Sequence, residues 1–129
     1  MIGLDAGYFV RLLEGHREAK LIWSTIIEGE ASAVSCLSIF ELARMARKSA
    51  ISVEAEAALR EGILGLCRVC WLEKEEVLLS GANMAHGLGL PAVDALILAG
   101  LLSVGANRIY TTDSHMEAYK KRGVRIIRM

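Results

Sequence analysis

One segment constrains the fold of this chain more than any other. It runs from Leu90 to Asn107 and carries a single charged side chain, Asp94. Pro91 favours the first turn of a helix, where its missing N–H is not needed. A helix that is apolar on all sides is a buried helix, and an uncompensated charge on it is costly, although the helix dipole favours an anion in the first turn. Asp94 therefore either caps its own helix or belongs to a functional site.

Length and composition predict one globular domain over residues 1–129. Hydrophobic residues make up 53% and charged residues 23%, which excludes a disordered chain. The uncharged run 95–107 is shorter than the roughly 20 residues of a membrane span, and the start has no basic region followed by an apolar signal core. We therefore expect a cytoplasmic protein without a membrane segment. Fifteen basic residues balance fifteen acidic ones, so net charge indicates no class of partner.

The chain has three cysteines, of which Cys67 and Cys70 have the spacing of a redox or zinc motif. The segment from Cys67 to Leu72 is predicted as a strand, which would point the two sulfurs to opposite faces. A second pair of metal ligands is also missing. We expect reduced, structural cysteines, as in a cytoplasmic protein.

Short apolar strands alternate with amphipathic helices along the whole chain. The predicted strands are Met1–Leu4, Ala31–Ser35, Cys67–Leu72, Arg108–Thr111 and Val124–Ile127. The predicted helices run from Tyr8 to near Gly15, then Arg17–Glu28, Ser38–Lys48, Ile51–Leu66, Lys74–Leu88, Pro91–Gly105 and Met116–Arg122. This alternation predicts an α/β domain in which helices cover both faces of a mainly parallel sheet of roughly five strands.

The acidic residues include twelve Glu but only three Asp. Asp5 and Asp113 each follow a predicted strand, and Glu41 lies early in the helix after the second strand. Asp94 begins the helix that leads into the Arg108–Thr111 strand. In parallel sheets, ligand-binding sites form outside the carboxyl ends of the strands. The four acids should therefore converge at this edge of the sheet. Four crowded carboxylates repel one another, and a divalent cation with oxygen ligands resolves that repulsion.

Helix capping is the structural alternative for these acids. Ser38-Ile-Phe-Glu41 matches the Ser-x-x-Glu capping box, and Asp94 stands in a first turn. Capping explains each residue singly but does not predict that the four converge. The sequence therefore predicts a metal-binding acidic site.

These motifs resemble those of the PIN-domain ribonucleases, particularly the small VapC toxins of toxin–antitoxin pairs. The resemblance covers essentially the whole chain and rests on four segments in order. They are Ile2-Gly-Leu-Asp5, Ser38-Ile-Phe-Glu41-Leu-Ala, Leu90-Pro-Ala-Val-Asp94-Ala-Leu-Ile-Leu-Ala99 and Ile109-Tyr-Thr-Thr-Asp113. The resemblance implies a PIN-like three-layer α/β/α sandwich.

The resemblance also implies a Mg²⁺- or Mn²⁺-dependent ribonuclease with an antitoxin partner. Its catalytic and metal-ligating acids would be the four named above, Asp5, Glu41, Asp94 and Asp113. Thr111 matches a threonine that the family usually has before the last Asp, and Thr111 and Thr112 are expected to support the site. The implied reaction is metal-assisted hydrolysis of an RNA phosphodiester.

The chain departs from the family pattern in two places. Gly7 stands where the family often has Ser or Asn, and His115 and Met116 stand where it often has an acidic and an aromatic residue. His115 could have a functional role, either as a metal ligand or as a proton shuttle. The alternative is a solvated histidine in a loop, and this is the alternative that we expect. The departures leave an alternative function, a weak or inactive PIN-fold module that binds RNA or protein.

Substrate binding requires cations near the acids. Arg44 and Lys48 lie three and seven residues beyond Glu41, on the same face of a helix. They either hold RNA phosphates beside the scissile bond or form an ordinary solvated face, and the sequence favours neither.

A homodimer is expected because the predicted helices carry more apolar surface than one small domain covers, and uncovered patches usually mark interfaces. The candidate surface lies on the N-terminal helices and consists of Tyr8, Phe9, Leu12, Ile22, Trp23 and Ile26.

Overall fold

Five short strands, six α-helices and one 3₁₀ helix alternate in a computed structural model that describes residues 1–129. The strands are β1 (Ile2–Leu4), β2 (Ser32–Ser35), β3 (Arg68–Cys70), β4 (Arg108–Thr111) and β5 (Arg125–Arg128). The helices are α1 (Ala6–Leu13), α2 (Arg17–Ile27), α3 (Cys36–Arg47), α4 (Val53–Leu66), α5 (Glu75–Leu88) and α6 (Ala92–Ser103). The 3₁₀ helix, Ser114–Ala118, follows β4. None of the helices is both long and apolar enough to cross a membrane.

All five strands are parallel and form one sheet in the order β3-β2-β1-β4-β5, which confirms the predicted parallel sheet. Strands β2 and β3 lie on one side of β1, and strands β4 and β5 lie on the other side. The strand order therefore reverses between β1 and β4, which pair with Leu4 opposite Tyr110. In open parallel sheets, ligands bind outside the carboxyl ends of the strands at such a reversal.

Helices cover both faces of the sheet and enclose two hydrophobic clusters. Because side chains alternate along a strand, Ile2 and Leu4 of β1 point into the cluster formed with α1 to α4. Gly3 faces the second cluster, where a β-carbon would lie only 3.1 Å from Ile109. The second cluster is built on α6, whose residues from Ala95 to Leu101 are buried with the exception of Leu96. The apolar helix that begins after Pro91 is therefore buried, as predicted.

The Cys-x-x-Cys segment has no metal or disulfide geometry, since its two cysteines lie on opposite faces of the sheet. Cys67 packs against the cluster formed with α1 to α4, and Cys70 lies in the cluster built on α6. All three cysteines are free thiols. Burial raises the pKa of the Cys70 thiol to about 11, which disfavours the reactive thiolate.

The predicted capping box at Ser38 is wrong. Helix α3 begins at Cys36, and the Ser35 hydroxyl accepts the N–H of Leu37 at 3.1 Å. The physical reason is that β2 runs directly into α3, so the serine at the end of the strand becomes the cap. Ser38 and Glu41 therefore lie inside the helix, and Glu41 is free to face the edge of the sheet.

The predicted dimer surface on the N-terminal helices is also wrong. Four of its six residues are buried in the core, and Leu12 and Trp23 pack against that core. Both N-terminal helices lie on the same face of the sheet, where the rings of Phe9 and Trp23 meet edge to face at 5.8 Å. The chain therefore uses this apolar area to build its own core.

Candidate active site

The carboxyl ends of β1 and β4 place two aspartates side by side. Asp5 directly follows β1 and Asp113 follows β4 after one residue. The N–H of Asp5 donates to the carbonyl of Tyr110 at 3.3 Å, so the pairing of the two strands continues into the site. The sheet thus fixes the backbone from which both carboxylates project.

Asp5 is almost fully buried, and both of its carboxylate oxygens have donors. Oδ1 accepts the N–H of Tyr8 at 3.0 Å, which caps α1. Oδ2 accepts the hydroxyl of the fully buried Thr111. The same hydroxyl oxygen accepts the N–H of Asp113 at 2.9 Å. Thr111 therefore joins the two aspartates through one hydroxyl group.

Burial raises the pKa of Asp5, and the Thr111 and Tyr8 hydrogen bonds oppose that rise. The charge of Asp113 raises it further. Burial also raises the pKa of Glu41, helped by the charges of Asp5 and Asp113. The carboxylates of Asp5, Glu41 and Asp113 are thus close enough to repel one another.

Asp94 lies in the first turn of α6, whose N-cap residue is Pro91 and whose N-terminus has no side-chain capping hydrogen bond. Burial raises its pKa to about 7, with further contributions from Asp113 and Glu41. Burial acts in the same direction on Asp113, but the hydrogen bonds with Asp94 and His115 hold the pKa of Asp113 below its usual range. The two opposite shifts belong to one coupled pair, in which Asp94 resists ionisation beside the negative charge of Asp113.

The structure therefore brings together all four predicted acids, and capping accounts for only part of the arrangement. Asp5 and Asp113 do cap the helices that follow them, whereas Asp94 and Glu41 do not. No lysine or arginine forms an ion pair with any of the four. The site is a concentration of negative charge that the chain's own lysines and arginines do not compensate.

Two of the acids form a group with His115. Donor atoms of Asp94, Asp113 and His115 all lie within 4.8 Å of one another. The ring Nδ1 of His115 is 2.8 Å from Oδ1 of Asp113, and the backbone N–H of His115 donates to the same oxygen at 2.9 Å. Two carboxylates and one imidazole at this spacing fit a divalent cation. The group contains two of the four predicted ligands, Asp94 and Asp113, and does not contain Asp5 or Glu41.

Sequence reasoning treated His115 as a solvated loop residue, which describes only its exposure. The side chain is 60% exposed, yet the turn that follows Asp113 directs the ring toward the acids. The available signal was the spacing of Asp113 and His115, because an aspartate often accepts the N–H two residues later.

Gly7 has a physical reason in this chain. A β-carbon at position 7 would overlap the hydroxyl oxygen of Thr112 and lie 2.9 Å from the Thr112 β-carbon. Thr112 thus occupies the space that a Ser or Asn at position 7 would need. Both residues line a cleft of about 320 Å³ that also includes Glu41.

The basic residues considered for substrate binding lie on two helices, α1 and α3. Arg44 is exposed in the last turn of α3, and Lys48 is the exposed residue that ends this helix. Neither forms an ion pair with the acids. Arg11, which sequence reasoning missed, lines the same cleft as Glu41 and pairs with Glu14 at 3.2 Å. Its position four residues after Gly7 on α1 was the available signal.

Comparison with known proteins agrees with this architecture. The family model for the PIN domain matches residues 2–122. No curated protein matches the chain. Among solved structures, a toxin–antitoxin complex from Klebsiella pneumoniae has a TM-score of 0.72 at 19% identity, with 96% of this chain and 95% of that chain covered. VapBC2 from Rickettsia felis, bound to a DNA fragment from their promoter, has a TM-score of 0.75 at 14% identity, with 99% and 98% covered. The predicted PIN-like sandwich is confirmed.

Proposed function

Because this chain belongs to the PIN-domain family, we propose that it is a metal-dependent endoribonuclease and the toxin of a type II toxin–antitoxin pair. The observation that supports the proposal is the convergence of Asp5, Glu41, Asp94 and Asp113 on the sheet edge between β1 and β4. PIN-domain nucleases generally use divalent metals, and here the donor atoms of Asp94, Asp113 and His115 lie within 4.8 Å of one another.

Asp94 and Asp113 would hold Mg²⁺ or Mn²⁺, with Asp5 and Glu41 completing the negative pocket. When bound, the cation supplies Lewis acidity toward the phosphate and a lowered pKa for an attacking water. The residues supply position and charge. Thr111 holds Asp5 and the backbone of Asp113 in fixed register. The raised pKa of Asp94 would make cation binding weaker at low pH, because a ligating carboxylate must be deprotonated.

The experiment is cleavage of single-stranded RNA by purified protein that has been stripped of metal with EDTA. Cleavage should return only when Mg²⁺ or Mn²⁺ is restored, and Asp113→Asn should lower the rate by about 100-fold or more. Glu61→Gln is the matched control, since it neutralises an exposed carboxylate on α4 and should cleave at the wild-type rate. RNA that is bound but left intact with either metal would favour the non-cleaving PIN-fold module instead.

We propose that the cationic side chains of α3 hold the RNA backbone. Arg44 and Lys48 extend along the helix away from Glu41, and at 1.5 Å per residue Lys48 lies about 10 Å beyond it, a distance that suits phosphates flanking the scissile bond. Arg44→Ala with Lys48→Ala should reduce the salt dependence of RNA affinity by about one unit of slope for each lost phosphate contact. An unchanged slope would assign both residues to the solvated surface.

An antitoxin partner and a homodimer complete the proposal. The two similar solved structures are described as a toxin–antitoxin complex and as VapBC2. An antitoxin arginine or lysine placed against the uncompensated acids would form charge-assisted hydrogen bonds and displace the cation, so inhibition should weaken as Mn²⁺ rises. Metal-independent inhibition would contradict this mode of binding. Light scattering at micromolar concentration tests the dimer, and a monomer mass near 14.0 kDa would exclude it.

A further inference from the structure

The group formed by Asp94, Asp113 and His115 mixes oxygen and nitrogen donors at the exposed rim of the site. The three donor atoms lie within 4.8 Å of one another. His115 is fixed there by its own backbone, because its N–H and its ring Nδ1 both contact Oδ1 of Asp113, at 2.9 and 2.8 Å. The His115 ring is therefore held beside Asp113 at the edge of the acidic site.

The chemistry of the donor set bears on which cation binds. Mg²⁺ is a hard ion that takes oxygen ligands and keeps several waters. Imidazole nitrogen suits first-row transition metals, and affinity for a mixed nitrogen and oxygen site rises from Mn²⁺ onward along that series. A histidine ligand therefore shifts a two-carboxylate site away from Mg²⁺.

We propose that His115 is a direct metal ligand and makes this site select Mn²⁺ over Mg²⁺. The inference rests on the proposed metal-dependent function and adds a residue and a metal preference to it. The alternative role for His115 is to orient Asp113 by a hydrogen bond without touching the cation. That role is physically reasonable, because carboxylate ligands are commonly held by hydrogen bonds from neighbouring groups.

Metal binding separates the two roles without any measurement of activity. Metal-free protein is titrated with MnCl₂ or MgCl₂ in a calorimeter, and the Mn²⁺ complex is examined by pulsed electron paramagnetic resonance for coupling to ¹⁴N. Wild-type protein should show directly bound ¹⁴N. His115→Ala should abolish that coupling and weaken Mn²⁺ binding by about 10-fold or more, with a smaller change for Mg²⁺. His115→Asp should also abolish the coupling and lower the Mn²⁺ to Mg²⁺ affinity ratio, since it restores an all-oxygen set.

His86→Ala is the matched control, because His86 is exposed on α5 and lies outside the group of donors. This variant should keep both the ¹⁴N coupling and the wild-type affinities. Circular dichroism of each variant checks that the exposed turn at position 115 tolerates the change. Wild-type protein that binds Mn²⁺ without ¹⁴N coupling, or an unchanged affinity ratio in His115→Asp, would overturn the role of His115 and leave the metal-dependent function standing. Wild-type protein that binds neither metal would overturn both.

Discussion

The two halves of the acidic site treat chemically equal carboxylates in opposite ways. On the β1 side, Asp5 is buried and both of its oxygens accept hydrogen bonds, from Tyr8 and Thr111. On the α6 side, burial and the neighbouring charges of Asp113 and Glu41 raise the pKa of Asp94, and no side chain caps the helix. The chain thus supplies hydrogen-bond donors to both oxygens of Asp5 but none of this kind to Asp94. A cation bound at the site would therefore stabilise the Asp94 side more than the Asp5 side.

The largest expected effect is on activity in the half of the site that the chain leaves unsatisfied. Asp94→Asn keeps the shape of the side chain but removes its charge, so RNA cleavage should fall by about 100-fold or more. The metal-free protein should be equally stable or more stable, because repulsion from Asp113 and Glu41 is relieved. RNA cleavage and thermal unfolding of the metal-free protein measure the two quantities. If Asp94→Asn unfolds and the activity of the wild type does not depend on Mg²⁺ or Mn²⁺, Asp94 is instead a structural residue.

The opposite pattern is expected in the satisfied half. Thr111→Val removes the hydroxyl that serves both Asp5 and the N–H of Asp113. Leaving the buried Asp5 oxygen and the half-buried Asp113 N–H without this partner should lower the free energy of unfolding by about 2 kcal/mol, measured by urea denaturation. Thr112→Val is the matched control, because that hydroxyl makes no hydrogen bond to the protein and the substitution keeps the shape. Equal losses in the two variants would mean that the Thr111 bridge contributes nothing of its own.

The junction between the two halves offers a smaller test. Gly7→Ala places a methyl group against Thr112 and should cost about 1 to 2 kcal/mol, as overpacking does. Adding Thr112→Ala removes the overlap with the hydroxyl group but keeps the β-carbon at 2.9 Å. It should therefore recover part of that loss, and the two substitutions should be non-additive in a double-mutant cycle. Gly65→Ala is the control, since a β-carbon there meets open space and alanine favours a helix. Additive effects would show that the loop after β4 simply moves aside.

The same comparison explains how far the sequence alone could lead. Asp5 and Asp113 were predictable as neighbours because each follows a strand, and the ends of parallel strands share an edge. Glu41 was assigned to the right edge, but the capping box was wrong because the sequence does not reveal which of Ser35 and Ser38 ends β2. The periodicity of the sequence also could not show that α1 and α2 pack on the same face of the sheet and bury their apolar side chains there. Burial of that kind is decided by tertiary contacts.

His115 shows a different limit. Its position two residues after Asp113 is visible in the sequence, but the direction of the ring depends on the 3₁₀ turn that forms there. A solvated histidine and a site histidine have the same local pattern. Only the approach of α6, which brings Asp94 to the same point, distinguishes them.

A further expected effect is a dependence of stability on pH that comes from the unsatisfied half. The folded protein raises the pKa of Asp94 from 3.8 to about 7, so the folded state binds a proton that the unfolded state releases. Stability of the metal-free protein from this group should therefore fall as pH rises from about 4 to about 7. Asp113 has the opposite sign, because its pKa is lowered, and its contribution is lost only as pH falls toward and below 3.8. Asp94→Asn should flatten the slope between pH 4 and 7, and so should saturating Mn²⁺, because a cation favours the ionised form of Asp94. Thermal unfolding across this range, with Glu61→Gln as the control, measures the slope, and a slope that Asp94→Asn leaves unchanged would place the titrating group outside the α6 half of the site.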